Sequence, residues 1–257
     1  MIDLHSHILP DLDDGAATLA EALALGRMAA ADGIRTIAAT PHSPASIASR
    51  HYSPALIQEQ VAALNTALAA EAIDLTVIAG TEICYDGSIV ELLRAGTLLP
   101  YGTSRAVLLE LPHDMLPPAI DQALFALQLA GYRVVLAHPE RIAAVQRDPN
   151  VLLPLIERGA LVQLTAEALT GQQGQRLRTA AETLLTHGMA HVLASDAHGL
   201  PPRRPPLLSA ARDRAIALLG PAAAALVTTI PAAILQDAPL RLDAPRPVAR
   251  ARWRLWR

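Results

Sequence analysis

The 257-residue chain is 52% hydrophobic and 18% charged, with a formal net charge of −3. That composition supplies one sizeable core, excludes a disordered chain, and has the wrong charge balance for a general nucleic-acid binder. The single Cys84 excludes an internal disulfide and a thiolate metal site, and the opening MIDLHSH lacks the basic and apolar regions of a secretory signal, so a reducing, cytoplasmic setting is expected.

Short Val-, Ile- and Leu-rich runs alternate with stretches of helical periodicity, the pattern of βα units around a parallel sheet. Strands are predicted at 2–4, 36–39, 76–79, 106–109, 133–136, 160–164 and 190–193. Between them, 18–31, 54–70, 118–130 and 179–187 carry apolar residues at helical spacing. Thr18, Ser53 and the Pro117 and Pro118 pair supply helix starts. Gly33, Gly131, Gly159 and Gly188 follow helical stretches, where a left-handed residue is needed. The uncharged stretch 215–236 has the length of a membrane span, but Pro221 and Pro231 interrupt it and Ala and Thr dominate, which predicts two core helices joined by a turn. One α/β barrel domain is expected over 1–237, the size such barrels favour. Residues 238–257, rich in Pro and Arg, read as a tail outside it. Within the tail, 246–257 holds five Arg, two Trp and no acid, which suits a weak contact with a membrane surface or an acidic partner.

Six of the seven predicted strands run into a residue able to bind metal: His5 and His7 after the first, His42, Glu82, Glu110 and His138 after the next four, and Asp196 with His198 after the last. In a βα barrel the carboxyl ends of the strands share one face, so these scattered positions converge there. Turn chemistry alone would favour Gly, Asn, Ser or Asp at such points. Imidazole and carboxylate ligands without thiolates suit Mn²⁺, Fe²⁺ or Zn²⁺, and several carboxylates allow bridging between ions.

The segments HSHILPDLDDGA at 5–16, ATPH at 39–42, GTEI at 80–83, LLELP at 108–112, AHPER at 137–141 and SDAH at 195–198 resemble, in order, the polymerase-and-histidinol-phosphatase superfamily. Within it the chain most resembles the bacterial capsule-associated manganese-dependent tyrosine-protein phosphatases. The resemblance implies a distorted (β/α)₇ barrel holding three metals, in agreement with the seven strands counted independently. It implies a first metal on His5, His7, Glu82 and Asp196, a second bridged by Glu82 and completed by Glu110 and His138, and a third on Asp14, His42 and His198, with Asp13 competing for the place of Asp14. Arg141 and Arg203 are the implied contacts to substrate phosphate, since guanidinium grips two oxygens at once.

The resemblance implies hydrolysis of phosphotyrosine on a protein, a tyrosine kinase of capsule or exopolysaccharide synthesis, as the expected activity. A small phosphate ester such as histidinol phosphate is the first alternative, and a metal-stabilised interaction module without turnover the second. His51, His113, His187 and His191 are expected to be structural or solvated. Cysteine-phosphatase chemistry would need an Arg six residues after Cys84, and position 90 is Val; Cys84 reads as a small buried hydrophobe.

Overall fold

The computed structural model describes residues 1–249. Its strands are β1 (Ile2–Ser6), β2 (Thr36–Ala39), β3 (Thr76–Ala79), β4 (Glu82–Cys84), β5 (Ala106–Glu110), β6 (Arg133–Ala137), β7 (Leu161–Thr165) and β8 (Val192–Ala194). They form two parallel sheets, β1-β2-β3 and β4-β5-β6-β7-β8. Isolated parallel bridges join the two sheets at both seams, His42 with Glu82 and Ser6 with Ala197.

The eighth strand arises because the predicted third one breaks. β3 pairs with β2, the chain steps across at Gly80 and Thr81, and β4 pairs with β5. A Cβ at Gly80 would lie 3.1 Å from Thr40 and 3.2 Å from Tyr101, so the step is made where a side chain would be crowded. Counted as staves, the split pair is one of seven.

Both faces of the strands are buried, which is why they read as continuous apolar runs. In β5, Val107 and Leu109 join the large cluster that packs against the helices, while Ala106 and Leu108 join a smaller one with Val135, Ala137 and Leu161. The period of two is the pleat itself. Gln163, two residues past Leu161, lies on that smaller-cluster side and is fully buried.

Helix signals in the sequence hold locally. Thr18 accepts from Glu21 N–H before helix Leu19–Ala31, and Ser53 from Leu56 N–H before helix Pro54–Ala70. The Pro-Pro start is displaced: helix Ile120–Leu129 begins two residues later, without a side-chain cap. Gly33, Gly131, Gly159 and Gly188 all have positive φ. Residues 215–236 fall in helix Ser209–Leu219, a 3₁₀ stretch Pro221–Val227 and helix Thr229–Leu235. Among the described residues no helix is long and apolar enough to cross a membrane. Beyond 237, Arg246 N–H donates to His187 O at 2.8 Å, and Val248 exchanges two hydrogen bonds with the Asn150 amide. Residues 250–257, where most of the Arg and Trp of the tail lie, are outside the described residues.

One long-range cap ties the last helices to the first. The Asp32 carboxylate accepts from Leu208 N–H at 2.7 Å, from Ser209 N–H at 2.9 Å, and from the Ser209 hydroxyl, satisfying donors at the start of helix Ser209–Leu219. Asp32→Ala is expected to cost about 1–2 kcal/mol, or roughly 3–8 °C in Tm for a chain of this size. Thermal unfolding measures it; an unchanged Tm would show that water replaces the carboxylate.

Candidate metal centre

The carboxyl ends of the strands gather all nine predicted ligands into one cluster, seven of them lining a cavity of about 610 Å³ whose wall also includes Arg141, Arg203 and Arg204, with His5 and His7 buried behind it. At its floor sits the Glu82 carboxylate. His138 Nε2 lies 2.8 Å from its Oε1, His5 Nε2 3.3 Å from the same oxygen, and His42 Nδ1 and His7 Nε2 lie 3.0 and 3.3 Å from Oε2. Asp196 Oδ1 lies 3.3 Å from His5 and 3.5 Å from His7. Asp14 Oδ1 faces His198 at 3.4 Å and His42 at 3.6 Å. Glu110 stands off, 3.9 Å from His42 and 4.0 Å from His138.

These side chains fit divalent cations better than they fit one another. His42 Nδ1 and Glu82 Oε2 are buried and close, yet neither has a hydrogen-bond partner. His5 Nε2 and His7 Nε2, both candidate ligand atoms, lie only 3.3 Å apart. Ligand atoms of His7, Asp14, His42 and His198 lie within 4.8 Å of one another, as do those of His5, His7 and Asp196, of His5, Glu82 and His138, and of His42, Glu82 and Glu110. Shared members make the cluster suited to several neighbouring ions.

Outer partners set the ring orientations. Gln163 Oε1 receives His5 Nδ1–H at 2.9 Å, and Asp13 Oδ2 receives His7 Nδ1–H at 2.6 Å, which turns both Nε2 lone pairs inward. The competition between Asp13 and Asp14 is thereby resolved in space: Asp13 is buried behind His7, also accepting from Gly15 and His42 N–H, and Asp14 faces the cavity. Gly15 is required in this loop, because a Cβ there would fall 2.0 Å from His7 O. His198 Nδ1 lies 2.9 Å from Asp196 O. Of the five non-glycine residues with positive φ among the described residues, two belong to the cluster, His138 at φ 34° and Asp196 at φ 52°. Such strain concentrates at functional sites.

The family is now decidable. The sequence profile described as "Capsular polysaccharide synthesis, CpsB/CapC" matches residues 1–236. The chain belongs to the CpsB/CapC family. It is 38% identical over 203 residues to the tyrosine-protein phosphatase YwqE of Bacillus subtilis, covering 79% of each chain, and 32% identical over 200 residues to CapC of Staphylococcus aureus, covering 78% of each. A crystal structure from a study of Bacillus subtilis YwqE and Streptococcus pneumoniae CpsB, described there as metal-dependent tyrosine phosphatases, superposes with TM-score 0.91 and 34% identity, covering 97% of this chain and all of that one.

In this CpsB/CapC barrel the predicted arginines are placed differently from each other. Arg141 is mostly buried in the wall, its Nη2 2.6 Å from Asp196 Oδ2 and 3.2 Å from Thr165 Oγ1. Arg203 turns to the loop that carries Asp14, bonding Asp14 O and Gly15 O. Its neighbour Arg204, passed over in the sequence, stands 3.2 Å from Asp196 Oδ2 and 2.8 Å from His198 Nδ1. His113, expected to be structural or solvated, has its Nε2 3.6 Å from Glu110 Oε1, and its ligand atom groups with those of Glu110 and His138. The remaining three lie outside the cluster: His51 is exposed beside Asp11, His187 bonds Thr183 O, and buried His191 accepts from Val162 N–H. Burial lowers the His191 pKa to about 4, so this ring is neutral.

Burial alone would strip charge from the floor of the site, but opposed charges outweigh it. The Glu82 carboxyl is held well below its ordinary range by His5, His138 and His42. Burial is likewise overcome in His5 by Glu82 and Asp196, in His7 by Asp13, and in His42 by Glu82, so all three rings hold protons above the ordinary histidine value. A proton and a metal compete for the same lone pair. Metal affinity is therefore expected to keep climbing as pH rises past about 6.5, the ordinary histidine value, and a plateau already reached below it would contradict the assignment. Asp13→Asn, which removes the anion that orients His7, should weaken metal binding by about 10–100-fold with the fold intact; calorimetric Mn²⁺ titration checks both.

Proposed function

We propose that this CpsB/CapC protein is a metal-dependent protein-tyrosine phosphatase that uses three divalent ions, physiologically Mn²⁺, and acts on a tyrosine kinase of capsule or exopolysaccharide synthesis. The observation that carries the reading is one cluster of nine imidazole and carboxylate side chains, seven of which line a single cavity together with three arginines. In this reading His5, His7, Glu82 and Asp196 hold one ion, Glu82, Glu110 and His138 a second, and Asp14, His42 and His198 a third. The names given to YwqE and to the structurally similar phosphatases support the activity. An open rim suits a protein substrate, since Asp14 and His113, which both line the cavity, are 49% and 54% exposed by side chain.

Divalent ions bound there supply positive charge to the phosphate oxygens and a water deprotonated near neutral pH. The chain's own contribution is geometric and electrostatic. Asp13 and Gln163 fix the inward-facing nitrogens of His7 and His5 before substrate arrives. Arg141, with Nη2 anchored on Asp196 and Thr165, keeps further donors of its planar fork for phosphate at the wall. Arg203 is assigned to phosphate as well; it also braces the Asp14 loop, and Arg204 brings a second guanidinium beside Asp196. Cys84 is a poor nucleophile, because burial and the nearby Glu110 and Glu82 push its thiol up from the ordinary value. Residues 1–237 are proposed as the catalytic barrel; among the described residues, none beyond 237 lines the cavity. An anionic-membrane or acidic-partner contact through the Arg-rich tail belongs to the same proposal.

Chelation is expected to abolish hydrolysis of a phosphotyrosine peptide and Mn²⁺ to restore it, with turnover of histidinol phosphate far lower; the reverse preference would favour the small-ester reading. Arg141→Ala should keep its metal content, since guanidinium cannot ligate a cation. Its kcat should fall by roughly 10²–10³, the scale of losing one transition-state donor. Wild-type kcat/KM in that variant would move the phosphate contact to Arg203 and Arg204.

A further inference from the structure

A second groove, of about 280 Å³, opens beside the metal cavity and shares Glu110 and His113 with it. Its other walls are apolar or small: Ala45 and Ile47 on the loop after β2, and Leu111 and Pro112 on the loop after β5. Glu110 is its one charged carboxylate, and that side chain turns toward His42, His113 and His138. Ile47 is wholly exposed, and Met115, on the second loop, is more than half exposed. The groove thus offers a mainly apolar lining next to a polar cavity.

The walls are built rather than loose. Ser43 N–H donates to Glu82 O at 2.9 Å and Ser43 Oγ accepts from Cys84 N–H at 2.9 Å, which fastens the first loop to β4. Ala143 N–H donates to His113 O at 2.7 Å and fastens the second. The first loop is thus held by the strand that carries Glu82, and the second by the helix Ala143–Arg147 that follows β6.

We propose that this groove receives an apolar side chain next to the phosphotyrosine of the protein substrate, making Ile47 and Pro112 determinants of specificity. The proposal rests on the tyrosine-phosphatase reading. With the phosphate in the metal cavity, an extended peptide advances about 3.3–3.6 Å per residue, so a neighbouring side chain reaches a groove that shares a wall with that cavity. The continuity through Glu110 and His113, together with the apolar lining, selects an apolar residue over an acidic one, which would face the Glu110 carboxylate.

The test uses the full-length, Mn²⁺-loaded protein and short phosphotyrosine peptides that differ only in carrying Leu or Ser beside the phosphotyrosine. Leucine peptides should show a kcat/KM about tenfold higher, expressed mainly in KM, the scale of one apolar side chain entering a partly open pocket. In Ile47→Asp, and separately in Ala45→Trp, which fills the groove, that ratio should collapse toward one. Both positions are exposed, so neither change burdens the core. Equal kcat/KM for the two peptides in the unmodified protein, or a leucine preference that survives both substitutions, overturns the groove while leaving the phosphatase reading standing. Hydrolysis of a small phosphate ester with no turnover of any phosphotyrosine peptide overturns both.

Discussion

The buried carboxylate of Glu82 is the constraint around which the molecule is arranged. Four imidazoles, those of His5, His7, His42 and His138, approach it within 2.8–3.3 Å from three other strand ends. An isolated carboxylate at this depth would be too costly to bury. The barrel makes the arrangement possible by ending its staves at one level, and the break between β3 and β4 places Glu82 at the first residue of a new strand, beneath the others. Asp13 and Gln163 repeat the pairing behind the rings, and Arg141 and Arg204 repeat it behind Asp196. Strain at His138 and Asp196 is tolerated because the surrounding contacts over-determine those positions.

How much of this was legible in the sequence follows from which rules are local. Strand positions and the convergence of the candidate ligands could be read, because a barrel sends every strand's carboxyl end to one face whatever the side chains do. The left-handed glycines and the Thr18 and Ser53 caps could be read for the same reason. The broken stave could not: it depends on crowding of Gly80 by Thr40 and Tyr101, which are distant in sequence. Gln163 was hidden inside an apolar run, where only register shows that it points at His5. Asp13 and Asp14 differ by one residue and take opposite roles, which loop geometry around Gly15 decides.

The arginines show the limit most sharply. Adjacent Arg203 and Arg204 diverge, one bracing the carbonyls of the Asp14 loop and the other meeting Asp196 and His198. Spacing along the chain gave no basis for separating them. His113 was set aside because a histidine just past a strand end is usually solvated, and it is indeed exposed. Its position on the wall between the metal cavity and the apolar groove is a property of two loops meeting, not of its own neighbours in sequence.

The proposed metal centre requires Glu82 to bridge ions rather than serve only as a buried partner of histidines. Electron paramagnetic resonance of the Mn²⁺-loaded protein tests this most directly, because ions sharing a carboxylate at about 3.5–4 Å separation are magnetically coupled. The account predicts a coupled multi-manganese spectrum that reverts to isolated ions in Glu82→Gln. A spectrum of isolated ions alone, in the unmodified and fully loaded protein, would contradict it.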